Sequence, residues 1–259
     1  MEAIQGFPIR RFDAGGPSAA NDKVVTEARI ELDINDGRHR LAMLCLPREL
    51  EALAVGFLRS EGVLKRREDL LSVQVHPAEA KVFVRGDFDA EALDSLSRRW
   101  TWGTGCGGGG TGRDLDAPTY APVGPGTIIT SQRLQELAAA FQAGESLWRE
   151  TGGVHACALA CPDGILLLAE DIGRHNAFDK IMGKALLEGI RVCDKFVLTT
   201  GRLSAEIVSK AVACRVPMLV SRSAVTSLAV KLSRRFGLTL VGFLRGGRLN
   251  VYTGYERLS

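Results

Sequence analysis

The sequence predicts an α/β protein: a C-terminal three-layer α/β/α sandwich preceded by a smaller α+β domain. Three observations lead there. From residue 164 onward, short apolar runs (ILLLAED, KFVLTT, PMLVS, LTLVGFL) alternate with amphipathic stretches (NAFDKIMGKALLEG, SAEIVSKAVAC, TSLAVKLSRRF), the pattern of a largely parallel sheet covered on both faces. Before residue 100 the pattern differs, with paired β-leaning runs around a helix. Between the two lies GTGCGGGGTG at 103–112, whose seven glycines suit neither a helix, a strand nor a core,.

Taken in order, Met1 to Lys23 carries Pro, Gly and charges but no apolar run of signal-peptide length,. Residues 24–46 hold two β-leaning runs about the turn Asn35-Asp36-Gly37, a hairpin signal,. In PRELEALAVGFLRSEGVL, Leu50, Leu53, Ala54, Phe57 and Leu58 share a helical face, and Gly62 supplies the stop,. The runs LLSVQVHP and AKVFVRGDF read as a strand pair, followed by a helix near 89–99. The glycine loop and DLDAPTYAPVGPG, 114–126, read as a linker, which divides the chain into domains 1–126 and 127–259. The second begins with one helix over SQRLQELAAAFQAGESLWRE, then VHACALAC and ILLLAED as a hairpin about Cys161-Pro162-Asp163-Gly164. The helix–strand alternation follows and ends in a strand over LNVYTG.

A chain of 259 residues that is 46% hydrophobic can bury a real core,. Its net charge of +3 comes from 33 basic and 30 acidic residues, a balance that argues against a general nucleic-acid or membrane binder and makes any basic site local. No stretch of about 18 apolar residues occurs, and a cytoplasmic location is expected. The six cysteines form no C-x-x-C pair, which favours reduced thiols over a disulfide framework or a zinc knuckle. Most have apolar neighbours. Cys106, among glycines, does not, and an exposed thiol is a reactive one.

In open α/β sheets ligands bind outside the carboxyl ends of the strands. The residues after each predicted strand are IGRHN, GRLSAE, RSAVTS and LRGGR, so Arg174, Arg202, Arg222, Arg245 and Arg248 all fall at one rim. Like charges gathered there imply a phosphate or pyrophosphate ligand, held by arginine forks and helix N-terminal N–H groups. Gly246-Gly247 allows close backbone approach to such a ligand, or simply makes a hairpin turn. His155 reads as a core histidine in an apolar strand, whereas His175 stands at a strand-to-helix junction beside Asn176. Asp171 and Asp179 read as capping or dipole-complementing carboxylates, and Glu206 as the capping-box partner of Ser204.

The motifs TGGVHACAL, EDIGRHNAFDKIMG, TTGRLSAEIVSKA, SRSAVTSLAVKLS, LTLVGFLRGGRLNVYT and LEALAVGFLRSEGVL resemble those of the FdhD family of formate dehydrogenase accessory sulfurtransferases, from about residue 24 to the C-terminus. The resemblance implies a cytidine-deaminase-like fold for the second domain. It also implies transfer of sulfur from a cysteine desulfurase to molybdenum bis(molybdopterin guanine dinucleotide), bound as a substrate, for the formate dehydrogenase catalytic subunit, with no tightly bound metal of the carrier's own. The family's sulfur loop usually reads C-G-x-C-G. Here it is Cys106-Gly107-Gly108-Gly109-Gly110, with Gly109 in place of the second cysteine. The family's cofactor-contact segment falls on Phe243, Leu244, Arg245, Gly246, Gly247 and Arg248, the turn that the strand pattern had reached independently.

On this reading the Cys106 thiolate takes sulfane sulfur from a donor persulfide, and mobile glycines let it meet two partners in turn. Arg174, Arg202 and Arg222 hold the pyrophosphates, and His175 moves a proton nearby. A carrier with two protein partners and an α/β core is often a homodimer. Two alternatives compete: a cofactor-binding chaperone that carries no sulfur, with the glycine loop as a lid, and a zinc deaminase. The deaminase needs H-x-E and P-C-x-x-C, and this chain has His155-Ala156-Cys157 and no P-C-x-x-C.

Overall fold

The computed structural model describes residues 1–98 and 120–259; the glycine loop with Cys106 and Gly109, and part of the expected linker, lie outside the described residues. The chain opens with a hairpin of β1 (Ile4–Asp13) and β2 (Gly16–Val25), which among the described residues pair only with each other. No strand signal is legible in this charged, Pro- and Gly-bearing stretch. A four-stranded sheet follows, built from β3 (Ala28–Ile34), β4 (His39–Cys45), β5 (Leu70–His76) and β6 (Lys81–Gly86) in the order β4-β3-β6-β5. The helices α1 (Leu50–Ser60) and α2 (Ala90–Arg98) pack on it through Leu53, Leu58 and Leu93. The turn at Asn35-Asp36-Gly37 has all three residues at positive φ, as the hairpin reading requires.

The remaining elements are α3 (Ser131–Gly144), α4 (Ser146–Thr151), β7 (His155–Cys161), β8 (Gly164–Asp171), α5 (Arg174–Leu187), β9 (Phe196–Thr199), α6 (Ala205–Cys214), β10 (Met218–Ser221), α7 (Ser227–Phe236), β11 (Thr239–Arg245) and β12 (Arg248–Thr253). The single helix expected over 131–150 is broken at Glu145. The six strands form one sheet in the order β12-β11-β10-β9-β7-β8. Along β7 the side chains alternate. Cys157 and Leu159 face Phe178, Ile181, Val208 and Leu232 of α5, α6 and α7; Ala156, Ala158 and Ala160 face Leu134, Leu137 and Phe141 of α3. Burial on both faces is why these strands are apolar throughout.

The sheet is not largely parallel. Only β9–β10 and β10–β11 pair in parallel, while β7 is antiparallel to both of its neighbours and β12 is antiparallel to β11. The reason is insertion: β7 turns tightly into β8 yet also lies against β9, which places an antiparallel strand inside the series. The directions of β8, β9, β10 and β11 still agree, so their carboxyl ends share one rim. The first residues of β7 and β12, His155 and Arg248, arrive at the same rim.

The two sheets are joined by helix α1 crossing α5 at very short range. A Cβ on Gly56 would overlap the backbone carbonyl of Asp179, and one on Gly183 would overlap that of Ala52. Two buried ionic clusters flank the crossing. Lys180 Nζ lies 2.7 Å from Asp171 Oδ2 and donates to the Leu46 and Glu170 carbonyls at 3.2 Å each, while Asp171 accepts from the Leu46 N–H. Lys210 Nζ meets Asp179 at 2.8 Å, Glu61 at 3.1 Å and the Ser60 hydroxyl at 2.8 Å. Asp179 therefore serves as a buried counter-ion rather than a helix cap.

Candidate functional site

The rim is floored by small polar residues at the strand ends. The Thr200 hydroxyl accepts from the Ala156 N–H, and Ser221 Oγ donates to the Gly201 carbonyl at 2.6 Å. Gly201 is needed here because a Cβ would run into the Arg174 side chain. Arg174 and His175 occupy the first turn of α5. Arg202 is exposed in the loop after β9, and Arg222 follows β10. The sequence-predicted cations thus come together.

Glu206 does not cap its helix, since Ser204 makes no side-chain cap bond. Its carboxylate instead turns to α5, with Oε2 3.1 Å from His175 Nε2 and 3.9 Å from Arg174 Nη2. Burial alone would raise its pKa, but the adjoining His175 imidazole and the Arg174 charge hold the carboxyl below its ordinary value,.

Arg222 has a second buried acid. Its Nη1 is 3.1 Å from Glu145 Oε2, and its guanidinium lies 5.2 Å from the Trp148 ring centroid,. Glu145 sits at the α3–α4 break with its side chain wholly buried, and desolvation pushes its carboxyl up despite the arginine. Neither Glu145 nor Trp148 was singled out from the sequence. The signal was there in Gly144-Glu145-Ser146, a helix stop followed by a helix start.

His155 is half-buried rather than enclosed in the core. Its Nδ1 lies 3.1 Å from Thr200 Oγ1. Burial, and then the charges of Arg174, Arg222, His175 and Arg202, hold the imidazole below its ordinary pKa of 6.5, hence neutral at pH 7. The same ring of cations makes the rim a place for an anion.

The predicted turn forms as a β-bulge and hairpin. Phe243 takes a left-handed φ of 54° and donates its N–H to the Ser223 carbonyl, and Arg245 pairs across to Arg248. Such a φ is uncommon for an aromatic residue and marks the rim as locally strained. Gly246 and Gly247, at φ 60° and 75°, close the turn and leave open space where a Cβ would stand,. Leu244, Arg245, Gly246 and Gly247 line a cleft of about 350 Å³ against α3. Gln135, Gln142 and Arg222 line it too. A second cleft, of about 290 Å³, is bounded by Trp148, Gly153, His155, Thr200 and again Arg222.

Neither Cys157 nor Cys161 is placed as a second sulfur-handling thiol at the rim. Cys157 is buried, contacts Thr199 Oγ1 at 3.2 Å and has its thiol pushed up to about 12 by desolvation. Cys161 is at the far end of β7 from His155.

Comparison with known proteins agrees with this frame. The family model described as FdhD/NarQ matches residues 25–259. A Wolinella succinogenes protein named sulfur carrier protein FdhD is 41% identical over 92% of this chain and 82% of its own length. One of the same name from Listeria monocytogenes is 35% identical over the whole of both chains. A crystal structure from Desulfotalea psychrophila, described as that of a candidate formate dehydrogenase accessory protein, superposes with a TM-score of 0.81 at 27% identity and covers both chains completely. Among the described residues no helix is long and apolar enough to cross a membrane. With the match spanning nearly the whole sequence and the fold shared end to end, the chain belongs to the FdhD/NarQ family.

Proposed function

We propose that this protein is a sulfur carrier that accepts sulfane sulfur on Cys106 and delivers it to molybdenum bis(molybdopterin guanine dinucleotide) on behalf of formate dehydrogenase. The observation that carries the reading is the gathering of Arg174, Arg202, Arg222, Arg245 and Arg248 on one rim, in a chain whose relatives are named sulfur carriers. Guanidinium forks and a glycine turn suit a pyrophosphate-linked dinucleotide. The Cys106 thiolate attacks the outer sulfur of a donor persulfide, forming Cys106–S–SH and releasing the donor thiolate, with no net redox change. Release as sulfide then needs two electrons. Where the family usually has a second cysteine this chain has Gly109, so an external thiol attacks the inner sulfur, liberates HS⁻ and remains as a mixed disulfide on Cys106. Arg174, Arg202, Arg222 and the 243–248 turn hold the substrate, and His175, poised by Glu206, exchanges a proton beside it.

The test is intact-protein mass spectrometry after incubation with a cysteine desulfurase and cysteine. A gain of about 32 Da, one sulfur, on the wild type and not on Cys106→Ala supports the carrier. No gain on either leaves the cofactor-binding chaperone as the better reading.

A further inference from the structure

His155 and Thr200 meet at the rim, where β7 begins and β9 has just ended. We propose that the Thr200 hydroxyl locks His155 in its Nε2–H tautomer, so that the ring serves as a fixed hydrogen-bond donor to an anionic ligand in the cleft beside Trp148. This rests on the anionic substrate assigned to the rim above and adds a binding residue with one defined role, to donate rather than to carry a proton.

The assignment follows from counting protons. Thr200 Oγ1 accepts from the Ala156 N–H at 3.1 Å and lies 3.1 Å from His155 Nδ1. Thr200 is buried, so its own O–H needs an acceptor, and Nδ1 is the acceptor it has among the described residues. A proton on Nδ1 would turn two N–H donors toward one oxygen and strand the hydroxyl hydrogen in a buried place. The proton of the neutral ring therefore resides on Nε2. That atom meets no protein partner among the described residues, and the ring lines the cleft with Trp148, Ile172 and Arg222. The sheet itself aims the hydroxyl, because the Thr200 N–H donates to the Ala156 carbonyl at 3.1 Å and Thr199 Oγ1 donates to the same carbonyl at 3.3 Å.

The groups around the ring reinforce this. Arg174 and His175 of α5, Arg202 after β9 and Arg222 after β10 all oppose a second proton on it. Asp171, opposite His155 on β8, is already taken by Lys180 at 2.7 Å. Glu206 turns to His175 instead. The two rim histidines are thus set against opposite partners, His175 against a carboxylate and His155 against a hydroxyl and arginines. A neutral N–H beside the Arg222 guanidinium can recognise an oxyanion through a contact that does not change with pH near neutrality.

The test is nuclear magnetic resonance on the full-length protein with isotope-labelled histidine ring nitrogens, His155→Gln identifying the ring among the four histidines. At pH 7, long-range proton–nitrogen spectra should show Nε2 as the N–H nitrogen and Nδ1 as the bare one. Thr200→Val, which keeps the shape and removes the hydroxyl, should yield a mixture of tautomers, and Thr200→Ser should restore the single form; a Thr200 that served packing alone would leave the tautomer unmoved. Inorganic pyrophosphate is the binding probe, and adding it to the wild type should shift the Nε2 resonance. His155→Leu should weaken pyrophosphate about tenfold, the scale of one lost hydrogen bond, and His155→Gln, which keeps an N–H donor, should recover part of that loss. A proton found on Nδ1, a tautomer indifferent to Thr200→Val, or a His155→Leu variant that binds pyrophosphate as tightly as the wild type overturns the proposal and leaves the sulfur-carrier reading standing. If the wild type binds no pyrophosphate, the anionic substrate itself has been misassigned and both fall together.

Discussion

The Arg222 guanidinium is held 3.1 Å from the carboxylate of Glu145, a side chain with no solvent exposure at the break between two helices. The arginine itself keeps about a third of its surface open to the rim, so it is positioned from beneath and available from above. Replacing Arg222 by Ala should weaken GDP binding at least tenfold, in line with about 1.5–3 kcal/mol for a hydrogen bond to a charged group. Arg222→Lys, which keeps the charge but loses the planar fork, should recover only part of that affinity when both variants are titrated with GDP by calorimetry.

Glu145 and Glu206 should respond to pH in opposite senses. The Glu206 carboxyl is held below its ordinary 4.5 in the fold. Its contribution is therefore present above about pH 4.5 and is lost as pH falls through its lowered folded value. Burial raises Glu145, so the folded state keeps its proton longer and stability attributable to it declines as pH climbs past 4.5. Urea midpoints measured from pH 3 to 7 should show Glu206→Gln losing stability relative to wild type as pH increases, and Glu145→Gln gaining. The same sign for both variants would contradict the assignment.

Gly56→Ala should be among the most damaging small substitutions in the chain. The added methyl meets the backbone of α5, which cannot step aside as a side chain would. A loss of about 3 kcal/mol or more is expected, at the severe end for overpacking, and a thermal melt would show it. Gly6→Ala, with nothing within 4 Å of the new carbon, is the control and should melt close to wild type.

Lys210→Met should cost about 3–5 kcal/mol, because it leaves Asp179 and Glu61 buried without their cation,. Adding Asp179→Leu and Glu61→Gln should restore much of that loss. Chemical denaturation of the single and triple variants measures the coupling, and a triple variant weaker than Lys210→Met would refute it.

Most elements from residue 28 onward, the α3–α4 break excepted, were legible because period and punctuation agreed: Asn35-Asp36-Gly37 for one hairpin, Cys161-Pro162-Asp163-Gly164 for another, and apolar strands set between amphipathic helices. The rim was legible too, since it needs only that β8, β9, β10 and β11 point the same way, which the helical crossovers ensure. Strand order was not. Nothing in HACALAC distinguishes a strand beside β8 alone from one seated between β8 and β9. The partners of Arg222 and His175 were also hidden: Glu145 and Glu206 come from other segments and meet the cations only through folding. The β1–β2 hairpin escaped because its polar exposed faces carry no clean alternation.

The Gly56–Gly183 crossing bears on how this molecule can be recombined with its relatives. Arg174 and His175 occupy the opening turn of the same helix whose middle is pinned against α1. The altitude of the cationic rim is thus measured off from the opposite sheet. A chimera that takes its first sheet from one relative and its second from another must inherit small residues at both contact points together. Otherwise the arginines will be present in the right sequence and mounted at the wrong height.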